Sequence, residues 1–301
     1  MLTLPASLQV FAGRGPEWAG WLDRLPRLLQ DLLEEWELTP DGVVGHGRTA
    51  AVLPVVSDDG ARCVLKAGWP HWEAEHEALA LRMWHGNGAV RLLRADPHRF
   101  ALLLERLHTR DLREEWDVRA CEVVGGLYGR LHVAAPPQLR RLSDQAERWA
   151  GELSGLAKGS PLPRRLVEQA ASIARDFAAD DATDGRLLHT DLHFENVLAA
   201  HGLREGEDWL AIDPKPLSGD PHYELAPMLW NEYSLYEGRL REGVRQRFRT
   251  LVETAGLDEQ RARDWVILRM LVNVKGELLE NGAPDQDFVT ACLAIAKAVQ
   301  D

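Results

Sequence analysis

The chain has 301 residues, which is enough for one large domain or for two lobes with a substantial core. Hydrophobic residues make up 45% and charged residues 27%, as in ordinary globular enzymes. The 47 acidic residues outnumber the 35 Lys and Arg residues and give a net charge of -12, which argues against a nucleic-acid binder. Two explanations of this charge stay open: it attracts a cationic ligand, or it only keeps the protein soluble.

The cysteines and the N-terminus indicate a compartment. Cys63, Cys121 and Cys292 are far apart and lack metal-binding spacing, so they favour a reducing environment over a disulfide framework. The first residues, MLTLP, lack the basic flank and apolar segment of a signal peptide. No run approaches the about 18 apolar residues of a membrane span. We therefore expect a cytoplasmic protein with neither a membrane partner nor a nucleic-acid partner.

The N-terminal third changes from a helical to a β pattern. Apolar residues recur at helical spacing over residues 16–36, and Pro26 is expected to divide or kink this stretch. A hairpin turn is predicted at residues 57–60 and a helix at residues 71–84, which ends at the glycines of residues 86–88. Five short strands are predicted, at residues 43–48, 51–56, 63–66, 90–94 and 100–104.

After residue 105 the pattern is mainly helical, with a β-rich insert near residues 187–198 and 209–212. The predicted helices lie at residues 116–132, 143–157, 162–178, 225–230 and, as several helices, 240–299. This order predicts an α+β fold of two lobes. The β-rich lobe would cover residues 1–107, and the helical lobe residues 108–301.

The strongest chemical signal is the sequence HTDLHFEN at residues 189–196, followed by AIDP at residues 211–214. Phosphoryl transfer needs a carboxylate that positions a hydroxyl and takes its proton, and oxygen ligands that hold Mg²⁺ against nucleotide phosphates. Asp191, Asn196 and Asp213 supply that set. A rival interpretation makes His189, Asp191 and His193 metal ligands, although no clear third imidazole is evident.

A second signal is Lys66, at the end of an apolar strand. A strand lysine can neutralise the α- and β-phosphates of ATP if a carboxylate on the next helix holds it. The candidates are Glu73, Glu75 and Glu77, and we favour Glu77 because it precedes apolar residues and is expected well inside the helix. A strand lysine by itself is usually a solvated residue, so Lys66 gains its meaning from the later triad.

Two weaker signals concern the nucleotide. Gly45 and Gly47 could let backbone N–H groups approach phosphates, and an ordinary hairpin would explain them equally. The backbone around Glu105 and Leu107 could pair with the adenine edge, and a buried edge strand leading into a linker is compatible with that role.

These residues together resemble the aminoglycoside phosphotransferases, within the protein-kinase-like fold. The catalytic stretch is similar to the family pattern HGDLHxxN, and IDPK with GDPHYELA, at residues 212–215 and 219–226, is similar to the branch of streptomycin 6-phosphotransferases and hydroxyurea phosphotransferases. The resemblance covers about residues 42–231. It implies a bilobal kinase that uses ATP and Mg²⁺. Its antiparallel β N-lobe, with the N-terminal helices (residues 1–107), would bind the nucleotide, and its helical C-lobe (residues 108–301) would carry the catalytic residues and bind the acceptor.

The resemblance also implies site roles. Asp191 would be the catalytic base, Asn196 and Asp213 would hold Mg²⁺, and Lys66 with Glu77 would bind the ATP phosphates. Two positions depart from the pattern. Thr190 replaces a usual Gly, which is a mild change if its backbone φ is negative. Glu224 replaces a usual Asp that braces the catalytic loop, and its extra methylene could loosen that brace.

The acceptor is the least determined element. Trp230, Asn231 and Glu232 follow the family motif closely enough to be expected near the cleft, and Glu277 is a weaker candidate. Each of them is also an ordinary surface residue on a simpler interpretation. Three functions stay open: a kinase for an aminoglycoside such as streptomycin, a kinase for another hydroxyl-bearing metabolite or a hydroxyurea-like compound, and a nucleotide-binding protein without catalysis. The intact catalytic set argues against the last.

Overall fold

The computed structural model describes residues 2–156, 162–200, 209–236, 238–280 and 285–300. The chain forms two compact units: Met1–Thr109 with Ala199–Leu210, and Arg110–Leu198 with Ala211–Asp301. In the part of the chain that the structure describes, no helix is long and apolar enough to cross a membrane. The assignment of residues 1–107 to nucleotide binding and of residues 108–301 to catalysis stays a prediction.

The first unit opens with helices α1 (Ala6–Gln9) and α2 (Pro16–Glu35), joined by a 3₁₀ turn. Helix α2 is not divided at Pro26. Its apolar face, including Leu25 and Leu29, is buried in one core with Leu53 of the sheet. Packing of that whole face against the sheet outweighs the single backbone hydrogen bond that a proline removes.

The sheet of the first unit is antiparallel, in the order β1-β3-β4-β6-β5, with β2 paired to β3. Its strands are β1 (Thr39–Pro40), β2 (Gly45–His46), β3 (Ala50–Val56), β4 (Arg62–Gly68), β5 (Leu92–Asp96) and β6 (Ala101–Glu105). Six strands replace the five predicted, because the two-residue strand β1 precedes the others. The predicted turn between β3 and β4 is confirmed, with Gly60 at φ +83°.

Helix α3 spans Glu77–Trp84 and is shorter than the predicted helix at residues 71–84. The residues before it form successive turns, in which the N–H of Ala74 donates to the carbonyl of His71 and that of Glu77 to the carbonyl of Ala74. Such bonds span three residues rather than four, so they are not yet α-helical. The helix ends at Trp84, and the next residue, His85, has a left-handed φ of +48° and leads into Gly86.

The second unit is mainly helical. Its helices are α4 (Asp117–Leu131), α5 (Leu142–Ser154), α6 (Arg164–Ala179), α7 (Ala226–Trp230), α8 (Leu240–Ala255), α9 (Glu259–Glu280) and α10 (Gln286–Ala298). Helix α5 packs on α6, α4 on α8, and α9 on α10. Trp265 of α9 is fully buried and stacks on Phe177 of α6, with ring centroids 4.0 Å apart. These helices form the apolar support of the loops described below.

Four short strands follow α6: β7 (Arg186–Leu188), β8 (Val197–Ala199), β9 (Trp209–Ala211) and β10 (Leu217–Gly219). Strands β7 and β10 pair antiparallel, and β8 pairs with β9. Strand β10 was not predicted. Its pairing brings the segment after Asp213 back beside the segment before Asp191, which places the polar residues of both loops at one end of the same ribbon.

Candidate active site

In the first unit, Lys66 and Glu77 form a buried ion pair. Lys66 lies on β4 between Val52 of β3 and Leu102 of β6, and its Nζ is 2.6 Å from Oε1 of Glu77. Their side chains are only 10% and 8% exposed. The predicted pairing is therefore observed, whereas its role toward a nucleotide stays a prediction. Glu77 is the first residue of α3, so the expectation that it lies well inside the helix was wrong.

Glu73, another candidate partner of Lys66, lies close to a histidine. Oε2 of Glu73 is 3.8 Å from Nε2 of His71, in the turns before α3. A carboxylate at the first position of a helix is favoured by the helix dipole, and Glu77 has this advantage as well as its lysine. The geometry therefore supports Glu77 as the partner of Lys66.

The glycine segment is the turn of the β2–β3 hairpin. Gly45 pairs with Val52, and the N–H of Gly47 donates to the carbonyl of Ala50 over 2.9 Å. A Cβ at Gly47 would meet no atom within 4 Å, and neither glycine has a left-handed φ. The fold of the turn therefore does not require glycine at position 47. A missing side chain there leaves the backbone open to a ligand, as the nucleotide hypothesis expects.

Glu105 is the last residue of β6, and Leu107 lies two residues further along the chain. The backbone N–H of Glu105 donates to the carbonyl of Arg91 over 3.0 Å, so only the Glu105 carbonyl can serve an adenine. The Glu105 carboxylate accepts from the N–H of Arg91, which fixes this end of the strand. Leu107 is buried. A nucleotide role for Glu105 and Leu107 stays a prediction.

In the second unit, the catalytic stretch is fixed by hydrogen bonds to the segment around Asp213. His189 is fully buried, and its Nε2 lies 2.9 Å from the carbonyl of Ile212. The N–H of Lys215 donates to the His189 carbonyl over 2.9 Å. The N–H of Ile212 donates to the carbonyl of Asn196, also over 2.9 Å. The two loops are thus held together on both sides of Asp191.

Thr190 has a left-handed backbone, with φ +64°. Threonine in place of the usual Gly would be a mild change only at negative φ. At this positive φ a β-branched residue is strained, so the change is not mild. Three hydrogen bonds hold it: its N–H donates to Oε1 of Glu224, its Oγ1 donates to the Lys215 carbonyl over 2.6 Å, and its carbonyl accepts from Arg269 over 2.5 Å. The surrounding bonds therefore impose the strained conformation.

Glu224 forms the brace that the sequence placed in doubt. It is fully buried, and its second oxygen, Oε2, lies 3.3 Å from Nε2 of His132. Burial opposes its charged form, but the hydrogen bond and charge of His132, together with the Thr190 N–H, lower the pKa of this carboxyl below 4.5. An ionised acceptor makes the stronger bond to the loop. The Glu224 side chain thus reaches the backbone N–H of Thr190.

Asn196 and Asp213 have the chemistry of a magnesium site. The Asn196 amide nitrogen donates to the carbonyl of Asp191 over 2.9 Å, so its oxygen is the atom that can meet a cation. Asp213 has φ +57°, a conformation that aspartate tolerates better than most residues. A carboxylate and an amide oxygen are hard ligands of the kind that Mg²⁺ takes beside nucleotide phosphates. The residues present therefore fit this metal.

The histidines of the stretch have other roles than metal binding. Within the described residues, no three His, Cys, Asp or Glu side chains are grouped as a metal site. Both ring nitrogens of His189 are engaged, Nε2 by Ile212 and Nδ1 by the N–H of Asp191. Burial lowers the pKa of His189 and of His193 below 6.5, so both rings are neutral near pH 7.

Two cationic residues near Asp191 were not identified from the sequence. Nζ of Lys215 is 2.9 Å from Oδ2 of Asp191. Arg269 of α9 reaches the Thr190 carbonyl and lies over the rings of Tyr223 and Trp230, at 4.2 and 4.8 Å from their centroids. Lys215 could have been suspected, because it follows Asp213 by two residues. No sequence signal marks Arg269, because only the fold brings α9 to the catalytic loop.

The acceptor candidates fall into two groups. Trp230 is the last residue of α7 and lies under Arg269. The carbonyl of Asn231 accepts a hydrogen bond from the buried Arg247 side chain over 2.6 Å, and Glu232 follows with φ +54°. Glu277 of α9 instead accepts from the backbone N–H of Asp285 over 2.8 Å, just before α10. Their roles toward an acceptor stay predictions.

The antiparallel sheet, the helical second unit and the buried pair of Lys66 and Glu77 are those expected of a phosphotransferase with a protein-kinase-like fold. The fold is confirmed by a choline kinase from Streptococcus pneumoniae, which superimposes with a TM-score of 0.62 at 13% identity over 92% of this chain and 99% of that one. The sequence model of the aminoglycoside/hydroxyurea antibiotic resistance kinases matches residues 35–274. The chain belongs to this family.

Two curated relatives give finer comparisons. A streptomycin 6-kinase from Streptomyces glaucescens is 41% identical over 290 residues, covering 94% of this chain and 92% of the relative. A hydroxyurea phosphotransferase from Kitasatospora aureofaciens is 40% identical over 291 residues, covering 92% of this chain and 81% of the relative. The predicted family and the predicted class of enzyme, a small-molecule kinase acting on a hydroxyl, are confirmed.

Proposed function

We propose that the chain transfers the γ-phosphoryl group of ATP to a hydroxyl of an aminoglycoside such as streptomycin, and so inactivates it. The observation that supports this most is the framework around Asp191. The Asn196 side-chain amide donates to the Asp191 carbonyl, and backbone hydrogen bonds of Ile212 and Lys215 hold the segment of Asp213 beside the same loop. A relative named as a streptomycin 6-kinase covers almost the whole chain. The negative net charge suits a cationic acceptor.

In the proposed reaction, Asp191 positions the acceptor hydroxyl and takes its proton. The hydroxyl oxygen forms a bond to the γ-phosphorus, the bond from that phosphorus to the bridging oxygen breaks, and ADP leaves with the bridging oxygen. Asn196 and Asp213 would hold Mg²⁺, which neutralises phosphate charge when bound. Lys66, fixed by Glu77, would hold the α- and β-phosphates.

The remaining assignments follow from the same proposal. Gly45 and Gly47 would approach the phosphates with backbone N–H groups, and the Glu105 carbonyl and Leu107 would meet the adenine. Trp230, Asn231, Glu232 and Glu277 would contribute to acceptor binding. Cys63, Cys121 and Cys292 are free and buried, which agrees with work in the cytoplasm, where ATP is supplied.

An acceptor screen tests the proposal. The full chain is incubated with ATP and Mg²⁺ against streptomycin, other aminoglycosides, hydroxyurea and simple alcohols, and ADP release is measured with the product mass. We expect ADP release that depends on streptomycin, a product heavier by one phosphoryl group, and its loss in Asp191→Asn. Phosphorylation of hydroxyurea alone would favour the second candidate function, a kinase for a hydroxyurea-like compound. The 40% identity to a hydroxyurea phosphotransferase supports that candidate. Nucleotide binding without transfer to any acceptor would favour the non-catalytic alternative.

A further inference from the structure

Lys215 pairs with the proposed catalytic base. Its Nζ is 2.9 Å from Oδ2 of Asp191, and the two side chains are 32% and 19% exposed. The distance is that of a charge-assisted hydrogen bond. A surface ion pair of this kind usually contributes little to stability, so stability alone gives a weak reason for a cation at this position.

The backbone of Lys215 is built into the loop that carries Asp191. Its N–H donates to the carbonyl of His189 over 2.9 Å, and its carbonyl accepts from Oγ1 of Thr190 over 2.6 Å. These two residues immediately precede Asp191. The attachment points of both charged side chains are therefore fixed relative to each other, so the pair forms with little loss of backbone freedom.

We propose that Lys215 is a positioning residue for Asp191. It holds Oδ2, so that the carboxylate has one rotamer and presents Oδ1 to the acceptor hydroxyl. This inference rests on the proposed function, because it takes Asp191 as the base. A carboxylate without the lysine would sample several rotamers, and misplacement of a reacting group by about 1 Å can cost on the order of 100-fold in rate.

The test is a double-mutant cycle with Lys215→Met, Lys215→Arg and Asp191→Asn. Lys215→Met keeps most of the length of the side chain and removes its charge. We expect its kcat to fall about 10-fold to 100-fold, with KM for ATP and the melting temperature nearly unchanged. Lys215→Arg should recover part of kcat, because it restores a cationic donor. In the Asp191→Asn background, Lys215→Met should have almost no further effect, because there is no carboxylate to position.

Lys275 provides a matched control. It lies in the same unit, its Nζ is 2.7 Å from Oε2 of Glu152, and neither Lys275 nor Glu152 is assigned a role in the reaction. Lys275→Met should leave kcat and KM at the values of the parent chain. It removes a paired lysine as Lys215→Met does, so a fall in kcat common to both variants would indicate a general effect of lost charge.

The outcomes separate this inference from the function on which it rests. An active parent with an unchanged kcat in Lys215→Met would overturn the positioning role alone. An equal loss in the presence and absence of the Asp191 carboxylate would also overturn it, and would indicate that Lys215 acts directly on a substrate. A rise in KM for ATP as the main effect would assign Lys215 to nucleotide binding instead. No product from the parent with any acceptor would overturn both proposals.

Discussion

Each unit contains a lysine–carboxylate pair, and the two pairs differ in burial. Lys66 and Glu77 are almost fully buried at 2.6 Å, whereas Lys215 and Asp191 are partly exposed at 2.9 Å. Two desolvated charges depend on each other, because removing one leaves the other unpaired in an apolar environment. Charges in contact with water do not depend on each other in this way.

Loss of the two pairs should therefore affect different properties of the protein. The buried pair fixes the position of Lys66 relative to α3, and its loss should be visible in stability as well as in function. The partly exposed pair can be broken with little effect on the fold, so changes there report on chemistry. Variants at the buried pair should change the free energy of unfolding, whereas variants at the partly exposed pair should mainly change the turnover.

The largest expected effect is on turnover at the exposed pair. Phosphoryl transfer depends mostly on positioning and charge stabilisation, and a base adds a factor on the order of 10² to 10⁴. Asp191→Ala should lower kcat by that factor, and Asp191→Asn similarly, because the amide cannot accept the proton. ATP affinity should stay nearly unchanged, since the carboxylate is proposed to face the acceptor. Nucleotide titration and acceptor phosphorylation on the same protein measure both.

Asp144, an exposed partner of Arg141 in the same unit, is the control position, and Asp144→Ala should be fully active. Loss of nucleotide binding together with turnover in Asp191→Ala would indicate a structural residue. Retention of both would move the base elsewhere. His193 would then be the first candidate, since its pKa, lowered by burial, leaves the ring neutral and able to accept a proton near pH 7.

The second prediction concerns stability at the buried pair. Glu77→Gln removes the carboxylate charge 2.6 Å from the buried Lys66 ammonium and should lower the free energy of unfolding by about 3–5 kcal/mol. Asp191→Asn should lower it by less than about 1 kcal/mol. Denaturant titration of both variants tests the contrast. Lys66→Met with Glu77→Leu should recover most of the stability without recovering ATP binding. Equal losses of stability in Glu77→Gln and Asp191→Asn would contradict the difference proposed between the buried and the exposed pair.

The fold and many residues of both lysine–carboxylate pairs could be predicted from the sequence. The β-then-helical order and the sequence HTDLHFEN predicted the fold and the residues of the second unit's loop, because short apolar strands flank the polar residues. Lys66 was recognisable at the end of an apolar strand, and Glu77 because apolar residues follow it. These signals are local, so spacing along the chain was enough to find them.

The features of the site that were not predicted depend on contacts between residues distant in sequence. The ion pair between Lys215 and Asp191 follows from the pairing of β10 with β7, and β10 has only three residues. Arg269 reaches Thr190 across 79 positions of the chain. The left-handed φ of Thr190 could not be inferred either, because threonine disfavours it and only the surrounding hydrogen bonds impose it.

The third prediction separates metal binding from the lysine pairs. Asp213→Asn removes one negative ligand charge and should raise the Mg²⁺ concentration for half-maximal activity about 10-fold or more. The melting temperature should stay close to that of the parent. Glu195→Gln, an exposed carboxylate beside Asn196, is the matched control and should keep the parent's Mg²⁺ dependence. Activity titrated with Mg²⁺ at fixed ATP is the measurement. An unchanged dependence in Asp213→Asn would contradict the assignment of this ligand.

The smallest expected effect is at Thr190, which has a left-handed backbone immediately before Asp191. Its Oγ1 bond to the Lys215 carbonyl contributes about 1 kcal/mol. Thr190→Ala loses this bond and keeps a Cβ at positive φ. Thr190→Gly loses the same bond but relieves about 1–2 kcal/mol of steric strain, less the entropy that glycine gains on unfolding. Thr190→Gly should therefore unfold with a free energy higher than Thr190→Ala by up to about 1 kcal/mol.

This order is the reverse of that in a helix or strand, where alanine is favoured over glycine. Gly126 of α4 supplies the reference, because a Cβ there meets no atom within 4 Å and Gly126→Ala should stabilise the protein. Denaturant titration of the three variants measures the order directly. A Thr190→Ala variant more stable than Thr190→Gly would show that the residue before Asp191 has negative φ in solution. The base would then be oriented by Lys215 and Glu224 without a strained backbone.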